Sequence, residues 1–289
     1  MEVGKPSRTA FATASARAYH QIAPEPRVFT DPLAVPITGV TAEELAEKAI
    51  AATASEPSEE IAFYRVRRLF MASRSRFAEE TIADAVADGA RQVVILGAGL
   101  DTFAYRNPDP TLRVFEVDHP ATQAWKRQLL DKAAITVPDS LTFAPIDFES
   151  ETLATGLASA GFVRDQPAVF IWLGVVMYLT REAIQSTLRY MAEQATPVRL
   201  AFDYVPPASD AAPEYRAHLR ARADRLAALG EPLISAFTPT ELAAELRAAG
   251  FDSVEDCSAA DLVARYVGQA ELGPAPERMH ARVARALRT

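Results

Sequence analysis

From residue 92 onward, continuous apolar runs alternate with longer stretches of mixed polarity. This is the pattern of strands buried on both faces of a parallel sheet and joined by helices. Gln92 to Leu96, Arg113 to Val117, Leu141 to Pro145, Ala168 to Leu173 and Val198 to Tyr204 read as five strands, and Asp252 to Asp256 and Met279 to Ala286 as two more. Ahead of them the chain opens on Ser7 to His20, alanine-rich and helical, after which Pro24, Pro26, Pro32 and Pro36 prevent any regular element until Thr41. Thr41 begins a short helix. A longer one is predicted from Glu59 to Asp88, with Ser58 as its N-cap, Glu59 and Glu60 in its positive first turn and Gly89 stopping it. His119-Pro120 starts the helix after the second strand, and Thr180 caps the one after the fourth. Thr238-Pro239-Thr240-Glu241 is a capping box whose helix closes at Gly250. Pro206 to Leu229, rich in Ala and Arg, is a helical insertion that either lies over the ligand end of the sheet or forms an ordinary surface helix.

The stretch Arg91 to Pro120, RQVVILGAGLDTFAYRNPDPTLRVFEVDHP, carries the chemistry. Gly97 and Gly99 let the backbone turn tightly after the first strand and approach a ligand closely. Asp118 ends the second strand, where a carboxylate accepts two hydrogen bonds from a ribose diol; its other reading is a helix-start residue before His119-Pro120. A dinucleotide fingerprint wants a third glycine at position 102, where this chain has Thr102. That weakens an NAD(P)-dependent oxidoreductase and favours an adenosine without a pyrophosphate.

ILGAGLDTFAYR followed by FEVDHP resembles the leucine carboxyl methyltransferase-like family of class I methyltransferases, in particular its bacterial members of unassigned substrate. The resemblance runs from SRTAFATASARA to FDYVPP. It implies an α/β fold: a Rossmann-like seven-stranded sheet with helices on both faces, ending in a hairpin with one antiparallel strand. It also implies S-adenosyl-L-methionine as cofactor and an N-terminal segment, Lys5 to Ala18, that folds across the pocket as a lid; the alternative is an N-terminal helix packed on the core. ASRSRF matches the family position whose arginine pairs with the methionine carboxylate, which would make Arg74 that residue, with Arg76 as competitor. Otherwise Arg65, Arg67, Arg68, Arg74 and Arg76 form a solvated helix face pairing with Glu79 and Glu80. Asp147-Phe148, after the third strand, would accept the adenine amino proton and cover the base; the alternative is a loop aspartate beside a core phenylalanine. The family usually carries a glutamate before the glycine of GVVMYLT, where it can hold the ammonium of the cofactor. This chain has Leu173 there.

With 49% hydrophobic residues in 289, the chain has ample material for a core. One domain is expected over 1–289, with a helical lid region at 1–88, a Rossmann-like core at 89–289 and the insertion at about 206–229. A net charge of −8 argues against a phosphate-backbone partner, so DNA and RNA methylation are discounted. The single cysteine, Cys257, forms no internal disulfide, and no leader or spanning run is visible, so a cytoplasmic protein without a membrane partner is expected. No metal-ligand spacing stands out. The expected reaction is methyl transfer to a carboxylate or hydroxyl oxygen of a small molecule, with a cofactor-binding homologue that has lost catalysis as a further alternative. A carboxylate acceptor needs no base, whereas a hydroxyl benefits from one, for which His20, Tyr19 and Tyr204 are the candidates.

Overall fold

A computed structural model describes residues 8–147, 151–195, 197–273 and 278–289. In chain order the helices and strands are α1 (Arg8–Ile22), α2 (Ala42–Thr53), α3 (Ser58–Ala87), β1 (Gln92–Leu96), α4 (Phe103–Arg106), β2 (Arg113–Asp118), α5 (Pro120–Lys132), β3 (Leu141–Pro145) and α6 (Leu153–Ser159). Then follow β4 (Ala168–Trp172), α7 (Arg181–Ala192), β5 (Val198–Tyr204), α8 (Pro213–Ala228), α9 (Pro239–Ala249), β6 (Ser253–Ser258), α10 (Ala259–Val267) and β7 (Arg282–Arg288). The strands form one sheet in the order β3-β2-β1-β4-β5-β7-β6. β1 to β5 run parallel, and β7 is antiparallel to both β5 and β6.

The continuous apolar strands are explained by helices on both faces. In β1, Val94 and Leu96 face a core shared with Leu157 of α6, Ile184 and Leu188 of α7 and Leu246 of α9. Val93 and Ile95 face the opposite core, built from Leu69, Phe70 and Phe77 of α3 and Leu262 and Val263 of α10. All five β1 residues and all five β4 residues are buried, so neither strand shows the alternation of a half-exposed sheet. Among the described residues no helix is long and apolar enough to cross a membrane.

Four sequence expectations change in detail. Ser58 is the first residue of α3 and not its cap; Pro57 occupies the cap position, and its carbonyl accepts from the Glu60 and Ile61 amides at 2.9 and 3.1 Å. The proline-rich segment contains a 3-10 turn, Pro36–Thr38, closed by Gly39. The last two strands do pair, but α10 intervenes: the Ser258 hydroxyl caps it by accepting from the Asp261 amide at 3.1 Å. The final strand also lies further along the chain, at Arg282–Arg288 instead of 279 to 286.

The proline-rich segment is fastened to the sheet's first connection. Buried Asp31 accepts from the Thr102 hydroxyl at 2.6 Å and pairs with Arg106 Nε at 3.1 Å. Thr102, which displaces the third glycine of a dinucleotide fingerprint, therefore anchors this segment beside the glycine turn.

Candidate functional site

The sheet order reverses between β1 and β4, and at the carboxyl ends of the strands there the described residues enclose a cavity of about 1850 Å³. Single-ligand pockets are usually about 300–1,000 Å³. The space thus has room for two molecules. Gly97 and Gly99 line it with φ of 65° and 46°, the left-handed region that glycine occupies without strain. A Cβ on Gly97 would stand 2.3 Å from Val175 Cγ2, and one on Gly99 would stand 3.2 Å from the Cβ of Ala10 in α1. The turn is therefore packed from two sides.

Asp118 holds this turn. Its carboxylate accepts from the Gly99 amide at 2.6 Å and from the His119 amide at 2.7 Å, and it keeps further acceptor capacity while lining the cavity. Burial pushes the carboxyl above its ordinary value, while the two amides pull the other way. Both readings of Asp118 meet here, because the same carboxylate steadies the turn and lines the cavity; His119 caps α5, its Nδ1 accepting from the Ala121 amide at 3.1 Å. Asp147, just beyond β3, also lines the cavity. Phe148 lies outside the described residues.

From α3, buried Arg74 reaches the cavity and bonds through Nη1 to Asp203 near the end of β5. Asp203 accepts in addition from the Gly174 amide. The Nε of Arg74 is buried with no hydrogen-bond partner. An unsatisfied buried guanidinium N–H costs free energy, and because Arg74 as a whole lines the cavity, its guanidinium fork suits a carboxylate-bearing ligand. Arg76 instead pairs with Glu80 at 2.8 Å on the outer side of α3, and Glu79 pairs with Arg106.

The structure brings Arg74, Gly97, Gly99, Asp118 and Asp147 to one cavity, but it takes the three candidate bases elsewhere. His20 is fully buried, its Nε2 accepting from the Val28 amide at 3.1 Å and its Nδ1 3.3 Å from Arg68. Burial and the Arg68 charge lower its pKa to about 4, so it is a neutral pin for the proline-rich segment. Tyr19, half-buried on the same helix, does not line the cavity. The buried Tyr204 hydroxyl donates to Asp256 at 2.9 Å on the far side of β5, and burial and that carboxylate push its phenol above the usual value. Side chains alternate across a strand, which is why Asp203 and Tyr204 cannot both face the ligand.

Other lining residues belong to no motif. Thr13 and Arg17 of α1 line the cavity, and Arg17 donates through Nη2 to the Leu100 carbonyl at 2.8 Å, fastening that helix over the glycine turn. Arg67 of α3 and Arg222 of α8 form a basic wall; burial and the Arg222 charge hold the Arg67 guanidinium below its usual range. Arg67 is exposed, and the surface it shows belongs to the cavity wall. Tyr178 adds a half-buried phenol, kept protonated by burial. Asp203 is the one that position in the strand could have flagged: like Asp118 and Asp147 it is an acid at the carboxyl end of an apolar run.

The sequence pattern of the leucine carboxyl methyltransferase family matches residues 10–192. YktD of Bacillus subtilis (strain 168), whose name places it among the S-adenosyl-L-methionine-dependent methyltransferases, is 33% identical over 290 residues, covering 91% of each chain. A protein of Mycobacterium sp. (strain JLS) with the same designation is 33% identical over 211 residues, 70% of this chain and 68% of its own. Among solved structures, a protein of Thermobifida fusca YX named as a methyltransferase superposes with a TM-score of 0.57 at 15% identity, covering 100% of this chain and 97% of the other. A DUF574 family protein of Streptomyces avermitilis MA-4680 gives 0.54 at 18%, covering 95% and 97%. These two share the fold. With the glycine turn, the acid that ends β2 and Arg74 gathered at one cavity, the match over residues 10–192 and the near full-length relative make this chain a member of the leucine carboxyl methyltransferase family, an S-adenosyl-L-methionine-dependent methyltransferase.

Proposed function

We propose that the protein methylates an oxygen of a small acid, with the acceptor's anionic group held by Arg67 and Arg222. Support comes from that arginine pair: two like charges share one side of the cavity, and no acid among the described residues pairs with either. Two neighbouring guanidinium groups on the cavity wall without a counter-ion favour an anionic guest.

S-adenosyl-L-methionine, when bound, supplies an electrophilic methyl group on its sulfonium. The protein's task is then placement. Asp118 and the glycine turn would hold the ribose, Asp147 the adenine amino group and Arg74 the methionine carboxylate. An acceptor carboxylate is ionised at neutral pH, so its oxygen attacks without a base, in keeping with the positions of His20, Tyr19 and Tyr204 outside the cavity lining. Holding donor and acceptor in line can lower the barrier by about 7–11 kcal/mol. The α1 helix, tied by Arg17 to the turn and by the Thr9 amide to Glu231 at 3.2 Å, would act as the lid that excludes water.

The test is a turnover screen with a labelled methyl donor against carboxylic acids, phenols and amines. Acids are expected to be methylated, and Arg222→Ala is expected to raise KM for them about tenfold, the loss of one charge-assisted contact. Methylation of amines or neutral alcohols alone, or an Arg222→Ala enzyme with unchanged KM for acids, would sink the acidic acceptor.

A further inference from the structure

S-adenosyl-L-methionine ends in an α-amino acid, a carboxylate and an ammonium on one carbon. A cavity that takes it must offer partners to both charges, since a buried ammonium without one is costly, and a carboxylate is the strongest such partner. Leu173, beside Gly174 on the cavity wall, offers only carbon. On the footing that S-adenosyl-L-methionine is the cofactor, we infer that Asp203 holds its ammonium and, with Arg74, forms a paired seat for its zwitterionic end.

The register of the sheet explains how an acid comes to stand there. β4 and β5 run parallel with Trp172 opposite Phe202. One residue further along, Leu173 and Asp203 are lateral neighbours at the ligand end of the sheet, both lining the cavity. A charge missing from the end of β4 is thus present one strand over.

Geometry and charge agree. The Asp203 side chain is only 4% exposed, yet it belongs to the cavity wall, so what surface it has is turned to the ligand space. Its known partners, the Gly174 amide and Arg74 Nη1, take one contact on each oxygen, and a carboxylate has about four acceptor sites. Arg74 keeps its Nε unsatisfied. Gly174, with φ of 74°, places no side chain between them: a Cβ there would stand 3.7 Å from Arg74 Nη1. Arg74 and Asp203 together are neutral, as is the amino-acid end of the cofactor. Setting carboxylate on guanidinium and ammonium on carboxylate gives alternating charges with no net charge buried, which neither residue could achieve alone.

Calorimetry with two probes tests this: S-adenosylhomocysteine, and 5′-methylthioadenosine, which shares the adenosine but lacks the amino-acid end. Asp203→Asn, similar in shape and uncharged, is expected to weaken S-adenosylhomocysteine more than tenfold and to leave 5′-methylthioadenosine within about twofold. Equal weakening of both probes, or no change in either, would overturn the assignment and leave Asp203 as a structural partner of Arg74. Leu173→Glu in the otherwise unaltered chain gives a second answer that does not depend on Asp203→Asn folding. With the ammonium already held by Asp203, a second acid alongside brings no gain in S-adenosylhomocysteine affinity; tenfold tighter binding would show that the ammonium had no partner, and would also overturn it. Failure of the unaltered protein to bind S-adenosylhomocysteine would instead strike the cofactor assignment itself.

Discussion

Asp118→Ala is expected to lower S-adenosylhomocysteine affinity by more than tenfold while the sheet stays folded. Two losses add at this position. The ribose loses a charged acceptor, worth about 1.5–3 kcal/mol. The Gly99 and His119 amides, now bonded to Asp118 at 2.6 and 2.7 Å, lose the group that fixes the turn against the end of β2. Asp118→Asn keeps an acceptor oxygen and should fall between the two, so the series separates charge from shape. Isothermal titration checks it. Unchanged affinity in Asp118→Ala would remove this residue from the ribose site and leave it as a start signal for α5.

Lys126→Met is expected to destabilise the fold by about 3–5 kcal/mol without touching the cavity lining, because it strands a buried carboxylate. Lys126 Nζ lies 2.7 Å from Glu116 in β2, and both side chains are at most 1% exposed. Burial already pushes Glu116 up to about 7, and Lys126 is the main influence pulling it back down. Without the lysine the carboxyl rises further and binds a proton more readily when folded than when unfolded. A group raised in this way contributes stability that is lost as pH climbs, starting near its ordinary 4.5 and continuing through and beyond about 7. Denaturation midpoints of Lys126→Met should therefore fall more steeply toward alkaline pH than those of the parent protein. Adding Glu116→Leu should recover most of the loss, since the pair is then replaced by apolar groups. A Lys126→Met protein as stable as the parent at every pH would contradict a desolvated pair.

Strands and turns are legible here because burial on both faces writes itself as uninterrupted apolar runs. β1, β3 and β5 match their expected bounds, and the capping box at Thr238 starts α9 as its hydroxyl and Glu241 demand. α10 is encoded in Ser258, Asp261 and the apolar pair Leu262-Val263, but its nine residues are too short for helical periodicity to stand out between two strands. The site is legible where an element's geometry fixes direction: Gly97, Gly99 and Asp118 follow from a strand, a turn and a strand end. It is illegible where direction depends on packing between distant segments. His20 looks exposed to chemistry in the sequence, yet Arg68 and the Val28 amide enclose it. Arg67 and Arg74 are seven residues apart on one helix and both face the cavity, whereas Arg76, two residues beyond Arg74, faces outward to Glu80. Helical periodicity says that Arg67 and Arg74 share a side, but only the packed structure says which side meets the ligand.

Parallel titrations of the purified protein with S-adenosylhomocysteine and with NADH decide whether this cavity binds an adenosine carried by a methyl donor, because a strand, a glycine turn and a following acid are common to both cofactor classes while Thr102 stands against the second. The expected result is saturable binding of S-adenosylhomocysteine at one site per chain, abolished or weakened in Asp118→Ala, and no binding of NADH. Binding of NADH without S-adenosylhomocysteine would contradict it.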